Sequence, residues 1–192
     1  MRILSLLPFM PLLAHADISL PDDAIEGFAV HLADEAGNVT YVHQSEFDNY
    51  GISIVLGDTN TNGTETTFKT KRSLPPGDSI TCERQKTFDI SDLHHGTIKL
   101  MEYLDCGFTI ITSTTSKYKY VAASHYEGSS VIYICNYSGH YRTIQGAQLL
   151  AMEEQVFNYC GQQNVAGWYT EHFYDMAWGY TNSKYGFCGP KQ

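Results

Sequence analysis

The sequence predicts an α+β fold in which two helices pack on one face of an antiparallel sheet and disulfides staple the layers. Three observations carry that reading. After residue 73 the hydrophobic periodicity runs helix, strands, helix, strands. All five cysteines, both tryptophans and most of the tyrosines fall in the same stretch. Two of the cysteines, Cys106 and Cys160, sit at helix ends, where a bridge tethers a helix to a neighbour.

The chain opens MRILSLLPFMPLLAHA. Arg2 is a short basic start. Ile3 to Leu13 is apolar but too short for a bilayer, which needs about 20 residues. Ala14-His15-Ala16 has the small-x-small pattern of a signal-peptidase site, so residues 1–16 are expected to be a secretion signal cut after Ala16. Three glycosylation sequons agree with export, at Asn38, Asn62 and Asn136. In an exporting compartment cysteines are normally oxidised. The localisation expected is secreted and extracellular.

Residues 17–72 are acidic, with no cysteine or tryptophan. Phe28, Val30 and Leu32 alternate, a turn follows at Glu35-Ala36-Gly37-Asn38, and Val39, Tyr41 and His43 resume the alternation. That is a β-hairpin pattern. Gly51 to Asp58 reads as a third short strand. The stretch ends in a Thr- and Gly-rich linker with Lys71-Arg72 before Pro75-Pro76. A dibasic pair in such a linker is a kexin-type cleavage site, so 17–72 is expected to be a β-rich pro-segment or N-terminal subdomain, and 73–192 the main domain.

In the main domain Asp89 or Ser91 caps a first helix. Leu93, Thr97, Leu100 or Met101, and Leu104 form its apolar stripe. FTIITSTT, KYKYVAAS and SSVIYICNY are rich in Thr, Val, Ile and Tyr and read as strands. Leu149, Met152, Val156 and Cys160 stripe a second helix, closed by Gly161. The aromatic, Gly-punctuated end supplies two more strands and a tail. Within SSVIYICNY, Ile132, Ile134 and Asn136 share one face, and Val131, Tyr133, Cys135 and Tyr137 the other.

Several of these segments carry a resemblance. Cys135-Asn136-Tyr137, a helix ending in Cys160-Gly161, Ala166-Gly167-Trp168 and the terminal Cys188 resemble small secreted fungal proteins of the smut killer toxin and leaf-mould effector kind. The resemblance covers roughly Ile80 to Gly189. It implies a disulfide-stapled sandwich and action on a membrane or extracellular target. In that family another cysteine follows the Cys-Asn-Tyr motif within a few residues; here Gly139-His140-Tyr141-Arg142 has none. The resemblance therefore implies that Cys135 is unpaired and that Cys82, Cys106, Cys160 and Cys188 form two bridges. One bridge would start from the Cys82 segment and one from the Cys188 tail, each reaching a helix-end cysteine, with the choice between them open.

Composition excludes some functions. The net charge is −9 and no basic patch appears, so nucleic acid is not an expected partner. The cysteines are too far apart for a zinc motif, and His94-His95 are adjacent on a helix and point apart, so no metal or other cofactor is expected. Ribonuclease chemistry needs a histidine, a carboxylate and a cation; His125, Glu127, Arg142, Glu171 and His172 supply the types without a motif. Glycosidase chemistry needs two carboxylates in a cleft. Trp168, Tyr169, Trp178 and Tyr180 are candidate sugar-stacking aromatics, although core packing and sheet surface are the more common roles of such residues. The reading is a monomeric, non-enzymatic secreted effector or toxin-like protein that binds an extracellular protein, glycan or membrane surface. The alternatives are a small secreted hydrolase and a cell-wall glycan-binding module.

Overall fold

A computed structural model describes residues 18–34, 36–56, 76–104, 108–111, 119–137, 143–144, 146–160, 164–173 and 175–188. Ala16, Asn62, Lys71, Arg72, Cys106 and Arg142 lie outside the described residues.

The fold begins with the hairpin. β1 (Gly27–Ala33) pairs antiparallel with β2 (Val39–His43), with Val30 opposite Val42. Asp34 builds the turn between them. Its carboxylate accepts from the backbone N–H of Ala36 and of Asn38, both at 2.9 Å, and from the Asn38 side-chain amide at 3.0 Å. A short helix α1 (Phe47–Tyr50) and β3 (Ser53–Leu56) follow. β4 (Ser79–Thr87) then leads into α2 (Ile90–Leu104). Asp89 caps α2 by accepting from the Ser91 N–H at 2.7 Å. The stripe on α2 is Leu93, Thr97, Leu100 and Leu104, all buried.

β5 (Phe108–Ile111), β6 (Lys119–Glu127), β7 (Ser130–Asn136) and β8 (Thr143–Ile144) come next. The tight β6–β7 turn needs Gly128 at φ +52°, where a Cβ would lie 2.4 Å from the Asp92 carboxylate. That carboxylate accepts from both the N–H and the hydroxyl of Ser129 at 2.7 Å, joining the turn to α2. α3 (Gly146–Cys160), β9 (Val165–Glu171) and β10 (Met176–Asn182) complete the order.

Seven strands form one antiparallel sheet in the order β2-β1-β6-β7-β10-β9-β4, and β3-β5-β8 form a small second sheet. The expected α+β layering is present, with α2 and α3 on the same face of the large sheet. On that face Phe28, Val30 and Leu32 of β1 join Ile132 and Ile134 of β7 and Trp178 and Tyr180 of β10 against the helix stripes. Burying each such side chain stabilises the fold by about 1.5–3 kcal/mol before conformational entropy is counted. The other face carries a smaller cluster around Val131, Tyr133, Cys135, Ala177 and Phe187. It is crossed by a strap in which Ile18 and Phe187 exchange two backbone hydrogen bonds, at 2.8 and 2.7 Å.

The acidic N-terminal stretch supplies part of the large sheet, since β1 lies between β2 and β6 and its apolar face is part of the helix-side core. The structure corrects the sequence reading at two cysteines and one asparagine. Cys135 is not unpaired: it bonds Cys188, while Cys82 bonds Cys160. The expected Cys82-to-helix-end bridge is therefore present, but the tail bridge goes elsewhere. The reason is strand parity. Alternation puts Cys135 on the face without helices, where the C-terminal tail returns with Phe187 and Cys188. By count these two bridges leave out Cys106. Asn136 is buried at 4% exposure, which leaves no room for a glycan in this fold, whereas Asn38 is exposed.

Candidate functional site

The helix-free face holds a groove of about 360 Å³, within the ~300–1,000 Å³ span of small-ligand sites. Strand parity builds it. β4 presents Ser79, Thr81 and Glu83; β9 presents Trp168 and Thr170; β10 presents Ala177 and Thr181; β7 presents Tyr133, with Tyr137 just beyond its end. Register places them in rows. Thr81 is opposite Trp168, Trp168 opposite Gly179, and Gly179 opposite Tyr133. The next row runs Ser79, Thr170, Ala177, Cys135.

Gly179 is required in the first row. A Cβ there would lie 2.5 Å from the Trp168 Cβ and 2.7 Å from the Tyr133 hydroxyl oxygen. The Trp168 and Tyr133 side chains flank the glycine from either side; Tyr133 is buried beneath Phe187, and Trp168 is the half-buried aromatic of the floor. The C-terminal tail walls one side. Phe187 stacks on Tyr133 with ring centroids 4.9 Å apart and meets His31 edge-on at 5.3 Å. The Cys135–Cys188 bridge fixes that wall next to β7.

The groove carries little net charge. Lys86 pairs with Glu83 at 2.5 Å and lies over the Tyr185 ring at 5.3 Å. His172 stands at the far end, its N–H donating to Asp78 at 2.9 Å, and the Tyr169 hydroxyl donates to the same carboxylate. Burial pushes the Tyr137 phenol up to about 12, so it remains a neutral hydroxyl.

Of the aromatics singled out in sequence, Trp168 alone opens into this groove with its side chain partly exposed. Tyr169, Trp178 and Tyr180 are 2%, 4% and 1% exposed on the helix side. Parity explains the split, since Trp168 and Tyr169 are consecutive and must face opposite ways.

The nominated acid–base groups do not gather in the groove. His125 and Glu127 of β6 sit on the helix side, where Glu127 bridges two histidines: His95 Nδ1 is 2.8 Å from one oxygen and His125 Nε2 is 3.4 Å from the other. His125 is buried, and desolvation lowers its pKa, although Glu127 opposes the shift. This pair joins β6 to α2 on the side of the sheet opposite the groove. Glu171 and His172 belong to the β9 end, across the sheet from them. Among the described residues no cluster of three or more His, Cys, Asp or Glu is arranged to hold a metal ion. No described helix is long and apolar enough to cross a membrane.

Two further buried groups stand outside the groove. His31 is fully buried on the helix-free face below a hollow lined by Leu20, Pro21 and Tyr41. Its Nε2 lies 2.9 Å from the Ser124 hydroxyl, and burial drives its pKa down to about 3, so the ring stays neutral. Glu153 of α3 enters the helix–sheet interface near Thr97 of α2 and Tyr180 of β10. Thr97 Oγ1, Glu153 Oε2 and the Tyr180 hydroxyl are all buried without a hydrogen-bond partner.

Sequence reasoning missed Ser79, Thr81, Tyr133, Tyr137, Thr170 and Phe187 as neighbours of Trp168. Alternation within each strand was visible, but the cross-strand register that aligns Thr81, Trp168 and Tyr133 was not. Comparison with known proteins finds no family model, curated protein or solved structure that matches this chain.

Proposed function

We propose that this is an exported, non-enzymatic binding protein of the effector or killer-toxin kind, which holds an extracellular target in the groove on the helix-free face. The observation that carries the reading is the groove itself: an aromatic floor at Trp168 ringed by hydroxyls, with the nominated acid–base pair His125–Glu127 on the opposite side of the sheet. Such a surface orients and retains a ligand, and the histidine–carboxylate pair is too far removed to attack it. The signal-like start, the oxidised cysteines and the motif resemblance support export and the effector class.

The test is retention of the purified protein on intact yeast and plant cells, with turnover of RNA and of cell-wall glycans followed in parallel. Retention is expected to fall at least tenfold in Trp168→Ala, with no turnover by any form. Turnover abolished by His125→Ala or Glu127→Gln would make the protein a hydrolase instead. Undiminished retention of Trp168→Ala would remove the groove as the binding surface.

A further inference from the structure

Resting on the groove as the binding surface, we infer that its ligand is a neutral oligosaccharide. Four features of the groove point to that chemistry together. The first is the floor. Trp168 lies beside the side-chain-free position Gly179, opposite Tyr133, and offers a flat apolar plane that the C–H face of a pyranose ring can cover.

The second is the rim. Ser79, Thr81 and Thr170, all at least partly exposed, flank the plane with hydroxyls that both donate and accept, which matches a ligand whose own rim is hydroxyls. A purely apolar ligand would strip water from these groups without replacing its hydrogen bonds, at a cost for each. The third is charge. Among the described residues lining the groove, Glu83 and Lys86 neutralise each other at 2.5 Å, which leaves His172 at one end as the remaining basic side chain and no unpaired carboxylate.

The fourth is shape. The floor crosses four neighbouring strands, β4, β9, β10 and β7, which at three spacings of about 4.8 Å makes it roughly 14 Å long. That length suits several linked sugar rings lying across the strands. An extended peptide would instead seek unpaired backbone; β9, β10 and β7 are paired on both sides, and the outer edge of β4 is guarded by Glu83, Arg84 and Lys86.

The two tryptophans make the inference measurable. Trp178 is 4% exposed while Trp168 opens into the groove, so a neutral quencher such as acrylamide reports mainly on Trp168. The full exported chain is titrated with cello-, laminari-, chito- and manno-hexaose, and separately with inorganic phosphate and with vesicles of anionic lipid. At least one hexaose is expected to suppress quenching at least twofold, whereas phosphate and vesicles leave it unchanged. Trp168→Ala is expected to lose about tenfold in affinity, measured calorimetrically.

Because Trp168 also packs on its neighbours, Thr81→Val and Thr170→Val serve as isosteric controls. Each removes one hydroxyl and is expected to weaken binding about fivefold at unchanged Tm. If no hexaose protects Trp168 while cell retention still depends on it, the ligand is not a carbohydrate and the groove reading survives. If vesicles or phosphate protect it instead, the carbohydrate inference fails in the same way. Hexaose binding that is indifferent to all three substitutions would place the sugar elsewhere and overturn the inference.

Discussion

Replacing Glu153 by Gln is expected to stabilise the protein at pH 8 and to leave it unchanged at pH 4. Glu153 is buried between α2, α3 and β10, and desolvation raises its carboxyl from an ordinary value of 4.5 to about 7; the nearby Thr97 hydroxyl pulls weakly the other way. The unfolded chain releases this proton near 4.5, while the folded chain keeps it until about 7. Below 4.5 both states are protonated and the group costs nothing through ionisation. As pH rises from 4.5 to 7 the unfolded state ionises first, so stability falls, and above 7 the full penalty is present. A shift of that size corresponds to about 3 kcal/mol. The amide of Gln does not ionise, so Glu153→Gln recovers that amount at pH 8 and gains nothing at pH 4, where the parent carboxyl is already neutral. For a domain of this size about 3 kcal/mol is roughly 6–12 °C in Tm. Thermal or urea unfolding of both proteins at pH 4 and pH 8 measures it. A Glu153→Gln variant no more stable than the parent at pH 8, or stabilised equally at both pH values, would refute the reasoning.

Other outcomes follow from the disulfides, the hairpin and Asn136. Thiol labelling of the denatured, unreduced protein is expected to mark Cys106 and leave Cys135 and Cys188 unlabelled; label on Cys135 would contradict its bridge. Replacing both Cys135 and Cys188 by Ser is expected to cost roughly 4 kcal/mol from loop entropy over their separation of 53 residues, and denaturant titration reads that loss. Cleavage after Arg72 by a kexin-type protease is expected to leave the two pieces associated, because β1 is paired on both edges and Phe28, Val30 and Leu32 are in the core. Gel filtration should show one peak that separates only in denaturant, and a folded 73–192 fragment eluting alone would show the opposite. Mass spectrometry of glycopeptides is expected to find Asn136 unmodified, and an occupied site there in folded protein would contradict its burial.

Local pattern made much of this fold readable. The alternation of Phe28, Val30 and Leu32, the cap at Asp89 and the stripes on α2 and α3 are set by neighbours a few residues away. The two faces of β7 were equally plain. The partners of those faces were not, because register and tail path are long-range. Parity alone put Cys135 opposite Ile134, but only the returning tail shows that Cys188 lies there. The same limit hid the groove. Trp168 stood out as a residue type, yet nothing near it in sequence names Thr81 on β4 as its neighbour or Tyr133 on β7, one strand beyond β10, as its companion. β4 was unreadable for a different reason: as an edge strand it carries Glu83, Arg84 and Lys86, charges that protect an exposed edge and blur the hydrophobic pattern.

The strap of Ile18 on Phe187 lies above the helix-free face of the sheet, where Phe187 also walls the groove. Residues 18 and 187 are thus side by side and can be joined by design. A short linker between them would close the described fold into a ring, and new ends opened in the Asp34–Asn38 turn would leave every strand of the large sheet in place. A fusion partner carried on those new ends would stand at the β2 edge, well away from the groove over β4, β9, β10 and β7.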